Sequence, residues 1–413
     1  MLTRTQSRLL LPLGAAMALS LTGDSTLYAV LPNQIETVGI TLSVVGVLLG
    51  ANRLIRIPGN LLAGALNDRL GRRRLFLLGL ALGVVSTLSY GLVRGFVPLL
   101  AARLLWGTAW SLINVGGYTM ILDRSTPADR GRMTGFYQMA FMFGLAVSPL
   151  LGGTLTDLLG FRPAVRICAA VSAGGLALAW LFLPETRPAT PSLPSRPRGG
   201  LPRQWLRQWY SAFQGADPRL WQADAIYLII LFVNSGVLMS TVSLYLKQRW
   251  GTGIPAGGTA IGVASLAGAM LTLRALLGVV AGPLAGSLSD RLHTRWPVVR
   301  GAILLGAAGF LVLALLPGFG AVPLGVALVA LSSGALSATL AAIAGDLATR
   351  DRPGVTVGSL ATAGDIGSAS GPLVAYWLVA RLDLRWVYLL CAVALALSLM
   401  ATRTSPHPPR GVN

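Results

Sequence analysis

Gly64-Ala65-Leu66-Asn67-Asp68-Arg69-Leu70-Gly71-Arg72-Arg73-Arg74 lies between two apolar runs, about 40–63 and about 75–93. A membrane helix needs roughly 20 mostly apolar residues, and each run is long enough. The stretch therefore reads as a short basic loop joining two membrane spans. Gly286-Ser287-Leu288-Ser289-Asp290-Arg291 repeats its first part after another apolar run, about 259–281. Further runs fall at about 9–31, 97–121, 132–155, 163–183, 223–246, 298–316, 322–345, 355–379 and 385–402, giving twelve spans.

Composition agrees with that count. Of 413 residues, 54% are hydrophobic and only 11% charged, with a mean hydropathy of +0.68. Soluble domains carry about 25% charged residues, so part of the solvent here must be lipid. Fifty glycines suit helices that approach closely in a membrane. The net charge of +19 is spread in short clusters between apolar runs rather than on one patch, which argues against nucleic acid. Arg4 and Arg8 precede an apolar run that continues well past Ala18, so it reads as a retained first span rather than a cleaved signal. Cys168 and Cys391 lie inside apolar runs and suggest packing, not a disulfide or metal site.

Residues 184–222 break the pattern with Pro184, Pro188, Pro191, Pro194, Pro197 and Pro202 among arginines, and Trp205, Trp209 and Trp221 suit a membrane interface. The expected organisation is a six-helix bundle over 1–183, a basic Pro-rich linker over 184–222, a second bundle over 223–402 and a tail over 403–413. Basic residues in the termini and even-numbered loops outnumber those on the other side roughly three to one, which puts both termini in the cytoplasm. Lys247 is the one lysine among 33 basic residues, a composition pointing to a GC-rich bacterial gene and hence an inner membrane. The halves echo each other beyond the loop. Asp123 and Asp129-Arg130 find partners in Asp346 and Asp351-Arg352, and Ser148-Pro149 in Gly371-Pro372. A duplicated bundle suits a carrier with a midplane site between rocking halves.

Gly64 to Arg74 resembles the loop signature of the major facilitator superfamily, Gly-x-x-x-Asp-Arg-x-Gly-Arg-Arg/Lys, and the resemblance extends over the whole chain. It implies an all-α membrane protein of twelve transmembrane helices in two pseudo-symmetric six-helix bundles. It also implies a gating loop of Gly64, Asp68, Arg69, Gly71 and Arg72, with a weaker copy at Gly286, Asp290 and Arg291. In that loop Asp68 would dock near the start of the eleventh helix. Arg103-Leu-Leu-Trp106-Gly107 is similar to the family's Arg-x-x-x-Gly motif, which implies a role for Arg103 in proton coupling. Gly144, Ser148, Pro149 and Gly152 resemble a motif of drug/proton antiporters, with Ser148 in place of a glycine. Gly367, Gly371 and Pro372 carry the intact string in the eleventh helix.

Charges within spans each cost roughly 2.5–3.5 kcal/mol on insertion scales and call for a partner or a wet cavity. Asp24 and Asp365 are candidates to bind a proton or a cationic group; a burial-raised and arginine-lowered carboxyl can exchange a proton as access alternates. Arg53, Arg56 and Arg274 are counter-ions or anion binders, since arginine does not release its proton. Arg53 and Arg56 are one turn apart, and Arg274 aligns with Asn52 in the repeat. Tyr28, Asn52 and Asn234 complete the candidate cavity; Asn114, Tyr118, Gln138, Trp106 and Trp110 read first as packing. The competing view is a set of structural salt bridges. No Gly-x-x-x-x-Gly-Lys-Ser/Thr is present, and His293 and His407 sit in a loop and the tail, so no enzyme, metal or cofactor site is expected.

The expected function is secondary transport of small organic solutes by alternating access, with proton-coupled efflux of amphipathic compounds as the leading reading. The alternative is organic or inorganic anion transport through Arg53, Arg56 and Arg274. A third class is a non-transporting assembly, lipid-handling or sensor protein on the same fold, against which the gating loop argues. Expected partners are a small-molecule substrate, protons and anionic lipids at the cytoplasmic face, with the protein acting as a monomer.

Overall fold

Inside a bilayer the backbone must satisfy its own hydrogen bonds, so apolar runs of this length become helices. The computed structural model describes residues 4–126, 129–186, 218–256, 259–292, 294–347 and 353–402; side chains at 4–5, 61, 68–70, 255–256, 259 and 353–357 lie outside that description. The helices are α1 (Arg4–Val30), α2 (Leu42–Leu54 then Arg56–Leu70), α3 (Arg72–Leu92), α4 (Phe96–Arg124), α5 (Arg130–Leu159) and α6 (Phe161–Phe182). After the linker come α7 (Pro218–Leu231, a π-helix Phe232–Leu238, then Met239–Trp250), α8 (Val263–Arg291), α9 (Trp296–Leu315), α10 (Ala321–Leu347), α11 (Pro353–Val379) and α12 (Leu384–Ser398, closing in a 3₁₀ turn). Ten of these spans meet the length and hydropathy expected of a membrane helix. Helices α1 and α11, each 27 residues long, make twelve among the described residues. Large apolar side chains such as Leu11, Phe143, Leu158, Phe182, Leu284, Trp377 and Leu397 point outward on many helices, as a lipid-facing surface requires.

Helices run several residues past the expected spans; α5 starts at Arg130 and α7 at Pro218. One element differs in kind. Residues 259–262, expected to open the eighth helix, form strand β2 (Thr259–Gly262), paired antiparallel with β1 (Gly253–Ala256). The glycines at both ends and the β-branched Ile254 and Ile261 favour a hairpin over a helical turn. The break in α2 at Ile55 follows from Pro58, which lacks an N–H and crowds the carbonyl of Leu54.

The repeat is visible in packing: α3 lies against α4 and α6, and α9 lies against α10 and α12. The chain divides into two units. Unit 1 holds the described parts of Met1–Pro194, Ser235–Leu276 and Ala369–Leu382; unit 2 holds those of Ser195–Asn234, Leu277–Ser368 and Asp383–Asn413. The core of unit 1 is built on Leu10, Leu13, Met17, Phe76, Trp106, Ile113 and Tyr137. Small residues let its helices cross closely. A Cβ at Gly144 would lie 2.7 Å from the Ala18 carbonyl, and one at Gly50 would lie 2.6 Å from the Ala369 carbonyl.

Candidate functional site

The most buried ion pair among the described residues belongs to unit 1. Asp24 on α1 is 7% exposed and Arg103 on α4 is 1% exposed. Arg103 Nη1 donates to Asp24 Oδ1 at 2.5 Å and Arg103 Nε donates to the Leu48 carbonyl at 2.8 Å. Asn52 Nδ2 donates to the same Asp24 oxygen at 3.0 Å. Close packing makes this possible. A side chain at Gly107 would overlap Ile55 and the Asn52 carbonyl, so glycine one turn after Arg103 lets α4 press onto α2. Gly23, beside Asp24, similarly abuts Thr87 on α3. The Arg-x-x-x-Gly spacing thus does two jobs on one helix face: Gly107 brings the helices together and Arg103 neutralises Asp24.

Tyr28, one turn beyond Asp24, donates to the Leu49 carbonyl at 3.0 Å, and the Arg103 guanidinium lies 5.6 Å from its ring centre. Arg53 Nε donates to the Tyr28 hydroxyl at 3.5 Å. Arg56, across the break in α2, instead lies over the Trp110 ring at 5.3 Å. Arg274 on α8 donates to Ser235 Oγ at 3.0 Å and lies within electrostatic reach of Arg53 and Tyr28. Several buried polar atoms near the pair make no hydrogen bond: Arg103 Nη2, Asn52 Oδ1, Ser25 Oγ, Thr87 Oγ1 and Trp106 Nε1. Donors and acceptors are both present, so these atoms hold hydrogen-bonding capacity that the protein itself leaves unused.

Asn234 is 2% exposed, within the π-helix of α7. Asn234 and Asp365 belong to unit 2; Asp365 lies within electrostatic reach of Tyr227. Sequence reasoning missed Tyr90 and Ser86, which join the network from α3. Ser86 Oγ donates to the Tyr90 hydroxyl at 2.9 Å, and Tyr90 lies within reach of Asp24 and Arg103. A tyrosine in an apolar run gives little signal of this.

In the basic loop Gly71 takes φ +93, a conformation other residues resist. The side chains of Asp68 and Arg69 lie outside the described residues. Arg72 pairs with Asp123 at 3.0 Å and donates to the Asn67 carbonyl at 2.9 Å. Glu185, from the end of α6, accepts from the Arg72 and Arg73 amides at 3.2 and 3.3 Å, meeting the positive start of α3. Glu185 went unread in the sequence because arginine and proline dominate its surroundings. In unit 2, Arg295 pairs with Asp346 at 2.6 Å and with Asp290 at 3.5 Å. The bond to Asp346 holds the Arg295 guanidinium more firmly protonated than usual. Arg72 with Asp123 and Arg295 with Asp346 share one sequence offset, so the repeat extends to an ion pair. Gly64 and Gly286 have open space around them, and Arg291 is exposed at the end of α8.

On α5, Ser148 Oγ donates to the Gly144 carbonyl at 2.5 Å, and Gly152 abuts Thr26, whose hydroxyl donates to the Ser148 carbonyl at 3.1 Å. Pro149 lies inside α5 and Pro372 inside α11. The Pro149 carbonyl meets Gly268 of α8, and the Pro372 carbonyl meets Gly46 of α2. Gly371 continues α11 in unit 1, while Gly367 in unit 2 abuts Leu228 of α7. One turn past Gly153, Asp157 Oδ2 accepts from the Ser265 amide at 2.7 Å.

The family described as Major Facilitator Superfamily matches residues 13–273 and 261–413. The chain belongs to the Major Facilitator Superfamily. It is a multi-pass integral membrane protein of a family of transporters, not enzymes. Human major facilitator superfamily domain-containing protein 10 is 27% identical over 335 residues, covering 77% of this chain and 70% of the relative. The fold resembles that of a bacterial homologue of the human lysosomal transporter Spinster, inward-facing and unoccupied (TM-score 0.76, 18% identity, 98% of this chain and 100% of that one). It also resembles the human organic anion transporter MFSD10 (TM-score 0.66, 20% identity, 97% of this chain and 100% of that one). This superfamily transporter thus has the expected two pseudo-symmetric bundles.

Proposed function

We infer that this protein is a proton-coupled carrier of small organic anions that works by alternating access. The observation carrying the reading is the arrangement around Tyr28. Arg53 and Arg274, from repeat-related helices, lie within electrostatic reach of each other, while the nearby acid Asp24 is engaged by Arg103. Two arginines that share a half-buried polar region favour a ligand with negative charge. The 27% identical human relative, whose solved structure is that of an organic anion transporter, supports the same substrate class. Asp24 and Arg103 form the coupling element: a proton on Asp24 weakens its hold on Arg103 and frees the guanidinium to shift between partners. The Asp68–Arg72 loop serves as the cytoplasmic gate. Both termini face the cytoplasm of a bacterial cell, anionic lipids contact the basic loops, and the carrier acts as a monomer.

Uptake of radiolabelled organic anions into proteoliposomes, with internal pH recorded, tests the reading. Saturable anion uptake that moves protons, and is lost in Arg53→Gln and Arg274→Gln, is the expected result. Retained anion binding in both variants refutes it. Efflux of amphipathic cations by proton exchange is the second reading, favoured by Asp24 and by the Trp106 and Trp110 rings, whose centroids are 6.5 Å apart. Proton movement on adding a lipophilic cation, with no response to anions, would select it.

A further inference from the structure

We propose that Asp224 is a second proton-binding group, lodged in the seam between α7 and α11 of unit 2, protonated when the seam is closed and ionised when it opens. It shares with the preceding reading only the claim that protons move, and its test needs no substrate.

Asp224 lies in the first stretch of α7, and no sequence signal singled it out beside Asp365. It is 7% exposed. Ser359 on α11 hydrogen-bonds its carboxyl, and the other oxygen, Oδ1, is buried with no partner. The seam continues tightly from there. A Cβ at Gly364 would lie 2.6 Å from Tyr227 Cε1, and one at Gly367 would overlap the Leu228 carbonyl. Residues 224, 227 and 228 of α7 thus lie along 359, 364 and 367 of α11, with glycine at 364 and 367.

The titratable neighbours among the described residues are few. Arg219 and Tyr227 lie on α7 itself, and Asp365 on α11 is within reach of Tyr227. Helices α10 and α12 also pack on this part of α7. Among described residues, the former brings Asp346, engaged with Arg295, and the latter brings the buried Tyr388 and Cys391 together with Arg385 at its start. A full carboxylate with one orphaned oxygen is costly in such surroundings, and a neutral carboxyl is not. With a proton in place the hydroxyl of the acid donates within the seam and a carbonyl oxygen remains. When α7 and α11 part, water enters, accepts the proton as hydronium and solvates the carboxylate. Closing the seam reverses the transfer, so seam opening and proton release are one linked equilibrium.

Hydrogen exchange of the full chain in lipid nanodiscs, corrected for intrinsic rates, reads that equilibrium in amides 359–367. In the wild type, exchange should rise by up to about tenfold per pH unit while one proton is released. Asp224→Asn should exchange slowly at every pH, and Asp365→Asn should keep the wild-type response. An unresponsive wild type, a normal response in Asp224→Asn, or loss of response only in Asp365→Asn overturns the proposal. Should Asp224→Asn fail to fold, infrared spectra of the wild type with ¹³C-labelled aspartate replace it. A protonated aspartyl carbonyl band that disappears in step with the exchange transition is expected, and its absence refutes the assignment.

Discussion

Replacing Asp24 by Asn keeps the shape of the side chain but removes the charge that compensates Arg103. Arg103 is 1% exposed, and Nη2 already lacks a partner, so after the change it keeps Nε to the Leu48 carbonyl at 2.8 Å and its contact with Tyr90 but no carboxylate. Removing one partner of a buried pair typically destabilises by about 3–5 kcal/mol, and the retained amide of Asn argues for about 3 kcal/mol. Arg103→Gln should lose a similar amount, since Asp24 keeps Asn52 at 3.0 Å. The double variant leaves no buried charge uncompensated and should lose about as much as either single one. The coupling energy is then about 2–3 kcal/mol, at the upper end for contacting residues. An ordinary interhelical hydrogen bond in a membrane averages about 0.6 kcal/mol in the same kind of cycle, so the two accounts separate clearly. Reversible SDS unfolding in mixed micelles, followed by tryptophan fluorescence, gives all four stabilities. A coupling energy at or below about 0.6 kcal/mol would refute the reasoning that Asp24 and Arg103 stabilise each other as an ion pair.

Gly71→Ala forces an L residue into φ +93 and sets a methyl 3.1 Å from Glu185 Oε2. It should destabilise by about 1–2 kcal/mol, read as a lower melting temperature. Gly107→Val should separate α4 from α2 and abolish transport even where the protein reaches the membrane, because Arg103 then misses Asp24; vesicle uptake normalised to expression checks this. Gly268→Val places bulk against the Pro149 carbonyl where α5 crosses α8, and should slow turnover with little change in substrate binding, measured as uptake rate against equilibrium binding. Glu185→Gln weakens the contact with the start of α3, and should speed hydrogen exchange in Arg72–Leu75 while leaving the Asp24 region unchanged.

The twelve spans and the doubled bundle were legible because hydropathy over about 20 residues is a direct consequence of bilayer thickness. The Arg103 and Gly107 pairing was legible as a motif, but its physical reason was not. Nothing in the sequence says that Gly107 faces Asn52, or that this contact carries Arg103 to Asp24. Arg53 and Arg56 stand one turn apart on paper, yet Pro58 breaks α2 between them and sends them to Tyr28 and Trp110. Asp224 and Glu185 were passed over because each sits where an apolar run meets polar sequence, and a charge there looks solvated. Burial by a neighbouring helix is a long-range fact that local pattern does not encode. The hairpin at Gly253–Gly262 was read partly as helix for a related reason: a short apolar run has no period of its own.

The duplicated ion pair gives this molecule an internal control. Arg72 with Asp123 and Arg295 with Asp346 are the same two residue types at matching helix ends, yet their side chains are 12% and 13% exposed in one half and 24% and 48% in the other. One charge-reversing exchange, made first in one half and then in the other, therefore performs the same chemistry at two depths of solvent within a single polypeptide. Any difference in effect belongs to the surroundings, which in the second half include Asp290, 3.5 Å from Arg295, and measures how unequally the two halves lean on the same contact.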